Sequence, residues 1–392
     1  MTFGAVVVGG GVVGTAAALA LARRRERVLL LERFAPGHPH GSSHGDGRII
    51  RFTYGEAIYV EMARRAFGAW AELERAAGET LVETTGSWEC GPSLSPRLAE
   101  LEAILGRCGI PFERWTAAES NRRVPHFRLP AGSAAIYQRD GGVVRADRAV
   151  RALRRLAADA GVEIRDGERA AAIEVLADRV RVRSAAGATW EAGVLVLTAG
   201  GWAPELLAQV GLEVPLRITR EQVAYFPARA VSPVDHRVGA MPTMIDYHDR
   251  EQPFYALPQI DVPGVKVGWH HGGAELTAAQ LEPERRPALD EANFAAVRAF
   301  VERRFPHLDP RPVERLGCLY TNTPDYHFVL DRHPRWPHVV VGTGFSGHGF
   351  KFAPVLGEIL AALARGETPP VDLETFALAR FAGGPIRRRI VA

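Results

Sequence analysis

The apolar positions of the chain fall first into a strand–turn–helix–strand block. An apolar run from Ala5 to Val8 meets a cluster of glycines, an alanine- and leucine-rich stretch continues to Arg25, and a second apolar run, Val28 to Leu31, ends on Glu32. Tyr59 to Gly78 has helical periodicity, with Ala63, Phe67, Trp70 and Leu73 on one face. Leu81 to Gly91 reads as strand and Leu98 to Cys108 as helix. A further helix runs from Asp147, placed to N-cap it, to about Ala160, with Val150, Leu153 and Leu156 on its apolar face and Gly161 as its stop. Short strands follow at Val162 to Ile164 and at Val180 and Val182, which alternate with Arg179, Arg181 and Arg183; Val194 to Thr198 is a buried strand. Residues 218–323 hold strands at Gln222 to Phe226, Phe254 to Leu257 and Val265 to Gly268, with a helix from Asp290 to Phe305. Val339 to Leu363 repeats strand, glycine loop and helix, with Pro354 in the first helical turn.

This order predicts an α/β protein. A doubly wound nucleotide-binding sheet is interrupted and resumed, occupying 1–82, 146–217 and 324–392. An α+β domain on an antiparallel or mixed sheet is built from 83–145 and 218–323.

The glycines of the first block carry chemistry. Gly9, Gly11 and Gly14 stand at G-x-G-x-x-G spacing between strand and helix. Gly9 permits the tight turn, Gly11 lets backbone approach a pyrophosphate, and Gly14 packs helix against strand. The free N–H groups of the helix N-terminus face that anion. Glu32 sits where a carboxylate accepts ribose hydroxyls. Gly200 and Gly201, ahead of Trp202, allow a second close backbone approach to a ligand.

Composition narrows the class. The 392 residues suffice for two domains, and 48 basic against 45 acidic side chains give +3, too balanced for a nucleic-acid or membrane-surface partner. The arginines at 23–25 and 387–389 read as a helix end and a solvated tail. Cys90, Cys108 and Cys318 have no metal or redox spacing, which points to a reducing, cytoplasmic compartment. The glycine motif begins within ten residues of Met1, leaving no room for a signal peptide, and no apolar run is long enough to span a bilayer. His38, His40 and His44 lack a ligand-spaced cysteine or carboxylate, so no metal is expected. Lys266 alternates with Val265 and Val267, and His270 shares its parity; such a pair is ordinarily the wet face of a strand.

The loop 33–51 holds His44, Arg48 and Arg51 on one short segment, and two arginines there are costly to bury unless they face an anion. GSSHGDGRIIR followed by FTYGE resembles the segment that approaches the flavin in the monomeric sarcosine oxidase and N-methyltryptophan oxidase family, D-amino-acid-oxidase-like flavoproteins. The resemblance implies FAD as cofactor, contacts to it from Ser42 and Ser43, His44 and Arg48 near the flavin ring, and Arg51 on a substrate carboxylate. Gly47 stands where sarcosine-type members carry threonine, which would leave room beside the ring. Lys266 matches the lysine that activates oxygen, His270 an active-site histidine, and Tyr255, in YALP, a pocket tyrosine; Leu257 replaces a second pocket aromatic.

RLGCLYTNTPD is similar to the C-x-Y-T segment whose cysteine bonds the flavin 8α-methyl, which assigns a covalent link to Cys318 and a pocket role to Tyr320. In VGTGFSGHGFK, Gly342, Gly344, Gly347 and Gly349 free backbone N–H groups, Gly344 and Gly347 fall to the cofactor, and Lys351 matches a second carboxylate ligand. The implied activity is oxidation of a secondary amine, an N-methyl or cyclic amino acid, to an imine, with O₂ reduced to H₂O₂ by a monomer. Two rivals are a flavin dehydrogenase passing electrons to a quinone or carrier protein, and a non-catalytic dinucleotide-binding or redox-sensing protein.

Overall fold

In the computed structural model, which describes residues 2–248 and 253–383, the strand Thr2–Val8 lies inside an eight-stranded sheet. Val28–Leu31 and Thr189–Leu197 flank it in parallel; Glu163–Arg165 extends the sheet on one side and Val339–Thr343 on the other. Parallel strands covered on both faces must be apolar on both, which is why these segments are continuous runs. Ala170–Val175 and Val180–Ser184 add an antiparallel hairpin, and Val329–Arg332 an antiparallel edge.

The helix Val12–Arg23 is buried nearly all round, because Ala353–Arg365 and Ala146–Asp159 pack on it as well as the sheet. Ala57–Ala77 is one-sided: Ala63, Trp70 and Leu73 are buried, Phe67 is half-buried, and Gly78 closes it at φ 68°. Ala203–Gln209 covers the opposite face of the sheet.

A second, nine-stranded sheet is formed by Ser87–Pro92, Glu113–Thr116, Ser133–Gln138, Arg217–Phe226, Thr243–Asp246, Phe254–Leu257, Val265–Trp269, Ala274–Glu275 and Glu314–Asn322. The helix Glu291–Arg304 packs on it, with Asp290 accepting the Ala292 N–H at 2.8 Å as its N-cap. Gly47–Ile50, Val82–Thr84 and Gly142–Arg145 form a three-stranded sheet; Gly47–Ile50 touches both Phe254–Leu257 and Ala146–Asp159.

Several expectations are corrected. The segment 33–51 is not all loop: its end is the strand Gly47–Ile50, whose partner Gly142–Arg145 is remote in sequence. The run 81–91 divides at Gly86 (φ 80°) into Val82–Thr84 and Ser87–Pro92, which join different sheets. Asp147 is not an N-cap. Arg145 holds that position, and Asp147 Oδ1 instead accepts the Gly45 N–H at 2.9 Å, tying the 33–51 segment to the helix. That helix buries Ala149, Ala152, Leu153 and Ala157, while Val150 and Leu156 are only partly buried, since close helix-on-helix approach selects small residues. The strands Thr243–Asp246 and Val329–Arg332 had no sequence-based expectation. The arginines at 387–389 lie outside the described residues. No described helix is long and apolar enough to cross a membrane.

Candidate active site

One elongated cavity of about 290 Å³ runs from the first glycine turn to the second sheet. At the turn, Gly9 has φ 108°, a conformation that favours glycine, and a Cβ there would meet the Thr198 carbonyl oxygen at 2.5 Å. Gly11 precedes the helix, and Ser43 Oγ accepts the Val12 N–H at 3.0 Å. Gly14 does not line the cavity. It sits against Gly9 and Thr198, so its part is helix–strand packing alone.

Glu32 accepts the N–H groups of Gly10 at 2.8 Å and Phe34 at 2.9 Å. Burial pushes its carboxyl up, but His38 and these two N–H groups outweigh burial and hold it below the usual range. Gly200 and Trp202 line the cavity. Arg33 lies 4.6 Å from the Phe34 ring centroid and 4.7 Å from that of Trp202. His38 and His40 stack on each other and meet the Phe34 ring at a tilt. Among the described residues, Cys90, Asp246 and His248 bring potential ligand atoms within 4.8 Å of one another, but Arg304 Nε, 3.2 Å from Asp246 Oδ2, already supplies a cation there. Cys90 is fully buried.

Toward the second sheet the wall turns cationic. Arg48 curls back on its own segment, donating to the carbonyls of Gly47 (2.9 Å), Ser42 (2.9 Å) and His44 (2.7 Å). Burial, then Arg48 and Lys266, lower the His44 pKa to about 3. Lys266 donates to the Gly47 carbonyl at 3.0 Å and lies 3.9 Å from Asp46 Oδ1, which also accepts the Tyr225 hydroxyl at 2.8 Å. Burial and Arg48 lower the Lys266 pKa to about 8, with Asp46 opposing. Lys266 and His270 both line the cavity and are buried, so the pair is not a wet strand face. Val265–Trp269 ends one residue before His270.

His270 Nδ1 lies 3.1 Å from the Tyr320 hydroxyl. Burial, then His271, His348, Arg51 and Lys351, keep His270 neutral far below the usual histidine range. Cys318 lies on Glu314–Asn322 directly across from Glu221. Burial raises the Cys318 thiol and lifts Glu221 to about 7. Tyr255 fills the space that the absent side chain of Gly268 leaves, its ring 2.7 Å from where a Cβ would stand.

The two expected carboxylate ligands come to the same wall but are already engaged. Lys351 donates to the Tyr54 hydroxyl (2.8 Å) and the His348 carbonyl (2.9 Å). Burial, then Arg51, pull its ammonium well below the usual lysine range, with Glu89 opposing. Arg51 pairs with Glu89 at 3.0 Å and donates to the Thr53 hydroxyl at 2.9 Å.

Two further site expectations are corrected. A Cβ on Gly47 would lie 2.5 Å from Ile260 Cδ1, 3.0 Å from Val143 and 3.1 Å from Leu257, so the missing side chain leaves no room. Neighbouring apolar groups have filled it, and Gly47 contributes its carbonyl instead. Gly344 (φ 64°) shapes the turn off the cavity wall, whereas Gly347 (φ 79°) lies under the Tyr320 ring. Sequence reasoning missed Asp46, Glu89, Glu221 and Tyr247. The available signal was an acid inside an otherwise apolar strand, as in SWECG at 87–91.

Residues 5–363 match the family described as FAD dependent oxidoreductase. The chain is 37% identical to the peroxisomal sarcosine oxidase of Homo sapiens, with 96% of each chain covered. It is 36% identical to the monomeric sarcosine oxidase of Streptomyces avermitilis, over 98% of this chain and 99% of that one. Its fold superposes on NikD, an unusual amino acid oxidase essential for nikkomycin biosynthesis, with a TM-score of 0.83 and 26% identity, over 96% of this chain and 97% of NikD. The chain therefore belongs to the FAD dependent oxidoreductase family and has its D-amino-acid-oxidase-like fold. The residues present fit FAD: the turn at Gly9 admits no side chain, and the buried ring nitrogens His44 Nε2 and His270 Nε2 have no partner among the described residues.

Proposed function

We propose that this FAD-dependent oxidoreductase oxidises a secondary amine, an N-methyl or cyclic amino acid, to an imine that water hydrolyses, with O₂ reduced to H₂O₂. The observation that carries this reading is the convergence of Arg51, Lys351, Lys266, His270 and Tyr320 on one cavity beside Cys318. The names of the relatives support the amine class. FAD, when bound, supplies the two-electron acceptor. Gly9, Gly11, Glu32, Ser42, Ser43, Gly200, Trp202 and Gly347 would hold it, and Cys318 would be the residue carrying a covalent link to it.

The chain's own groups do the rest. Arg51 and Lys351 receive the carboxylate and fix the orientation of the reacting C–H bond. His270, uncharged, and Tyr320 surround the amine and keep it unprotonated and electron-rich. Tyr255 and Leu257 wall off water. Lys266, beside His44 and Arg48, offers positive charge where reduced oxygen accumulates negative charge. One such charge at about 4 Å is worth about 4 kcal/mol at an effective dielectric of 20, or about a thousandfold in rate.

The partition of the strands supports the domain reading: 1–82, 146–217 and 324–392 for the cofactor, 83–145 and 218–323 for the substrate. The enzyme works as a monomer in the cytoplasm. An oxygen-electrode screen over sarcosine, N-methyl amino acids, proline, pipecolate and carboxylate-free amines tests the reading. Uptake with carboxylate-bearing secondary amines and matching peroxide is expected; dye reduction without peroxide would point to a dehydrogenase. Acid-precipitated protein should stay yellow and Cys318→Ser should not. Release of all flavin from the unaltered protein would end the covalent assignment.

A further inference from the structure

Arg51, the cation best placed for a carboxylate, is spent on the protein itself. Glu89, on the buried strand Ser87–Pro92, is fully buried and holds Arg51 Nη1 at 3.0 Å. Its second oxygen accepts the Tyr247 hydroxyl at 3.0 Å, and the Thr53 hydroxyl contacts the first. The next cation outward, Arg97, pairs with Glu100 at 3.1 Å and also bears on Tyr247 and Glu89, so Glu89 stands between Arg51, which it touches at 3.0 Å, and the field of Arg97. The buried Tyr54 ring contacts both expected ligands, 4.7 Å from Arg51 and 5.4 Å from Lys351. Among the described residues, Lys351 has no carboxylate within ion-pair reach; its donors go to Tyr54 and His348.

We propose that Glu89 is a specificity-determining residue that cancels the charge of Arg51, so that the pocket discriminates only weakly between carboxylate-bearing amines and their uncharged analogues such as carboxamides. The inference rests on the reading of Arg51 and Lys351 as the substrate's carboxylate ligands. A carboxylate seated on Arg51 stands within one side chain's length of Glu89, in a dry wall where like charges are poorly screened. Arg51 and Glu89 already balance each other before the substrate arrives. An anion entering there therefore carries a proton in with it. The groups around the entering charge are Arg51, Lys351, His348 and His270 on the cavity wall, with Glu89, Arg97, Tyr54 and Tyr247 behind it, and Lys351, whose proton affinity burial and Arg51 lower, is the one placed to take that proton.

Binding rather than turnover separates this idea from the amine-oxidase reading. Propionate and propionamide are titrated into the flavin-loaded protein and followed by the shift in flavin absorbance. Glu89→Gln keeps hydrogen-bonding oxygen and shape but removes the charge. It should tighten propionate about 10- to 100-fold and leave propionamide within about twofold. Calorimetry of the unaltered protein in buffers of different ionisation enthalpy should show close to one proton taken up per propionate and none per propionamide, and Glu89→Gln should take up less.

That second measurement needs no variant to fold. Weaker propionate binding in Glu89→Gln would make Glu89 a positioning residue for Arg51 and overturn the proposal. Equal affinity in both proteins, or no proton uptake by the unaltered one, would overturn it while leaving the clamp in place. If propionate binds neither protein, the clamp itself falls and the role of Glu89 with it.

Discussion

Lys266 carries the clearest consequence at the scale of single residues. Its ammonium is buried, held by the Gly47 carbonyl at 3.0 Å, and its pKa is lowered to about 8 by burial and Arg48. The charge is thus present below about pH 8 and lost above it. Reaction of the reduced enzyme with O₂ should slow as pH rises through that value, and Lys266→Met should slow it about a thousandfold at pH 7. Stopped-flow measurement of both half-reactions checks this; equal slowing of reduction and reoxidation would remove Lys266 from the oxygen step. The residue itself was legible in the sequence, as a lysine alternating with valines. Its partners were not, because Asp46 and Gly47 come from a segment more than two hundred residues away. Glu89 was missed for a similar reason. Its chemical meaning depends on a strand pairing that brings it to Arg51.

At the scale of elements, local pattern was informative wherever an element buries a whole face. Val28 to Leu31 and Phe254 to Leu257 coincide with their strands, and Gly78 ends its helix in the left-handed region as glycine can. Reading failed where pairing partners are distant, as in Gly47–Ile50, or where a cap is taken by a neighbour, as at Asp147, whose carboxylate serves Gly45. Gly14 gives a test of the helix–strand seat. A Cβ there would meet the Gly9 carbonyl, in the glycine turn, and would lie 2.5 Å from Thr198 Oγ1, just past the neighbouring strand Thr189–Leu197. Gly14→Ala should therefore destabilise the protein by about 1–3 kcal/mol and loosen FAD. Thermal unfolding and the flavin content of the purified variant would show it; an unchanged melting point would contradict the packing argument.

The whole molecule holds several buried or half-buried histidines in neutral form. Burial first, then neighbouring cations and histidines, lower His44 to about 3 and His236 to about 4, and His270 and His348 lie well below the ordinary range. The unfolded chain takes up protons at these positions below about pH 6.5, whereas the folded one does not, so stability present above that pH is lost as pH falls. Glu221 opposes this, since its pKa is raised to about 7 and it favours the folded state on acidification. The lowered histidines outnumber this one raised carboxyl, so stability falls as pH drops from about 6.5 toward 4.5. Urea unfolding at pH 7.5 and 5.5 should show the midpoint falling sharply, and a constant midpoint would contradict the burial of these rings in their neutral form. In the proposed reading one large sheet presents the dinucleotide turn and the other the amine pocket, and Gly47–Ile50 touches both the second sheet and the helix Ala146–Asp159. The account is tested most directly by mixing the flavin-loaded protein with sarcosine or proline without air. Loss of the oxidised flavin absorbance, and its return on admitting O₂ with one peroxide formed per amine consumed, is the expected result; an absorbance that no secondary amine bleaches would contradict it.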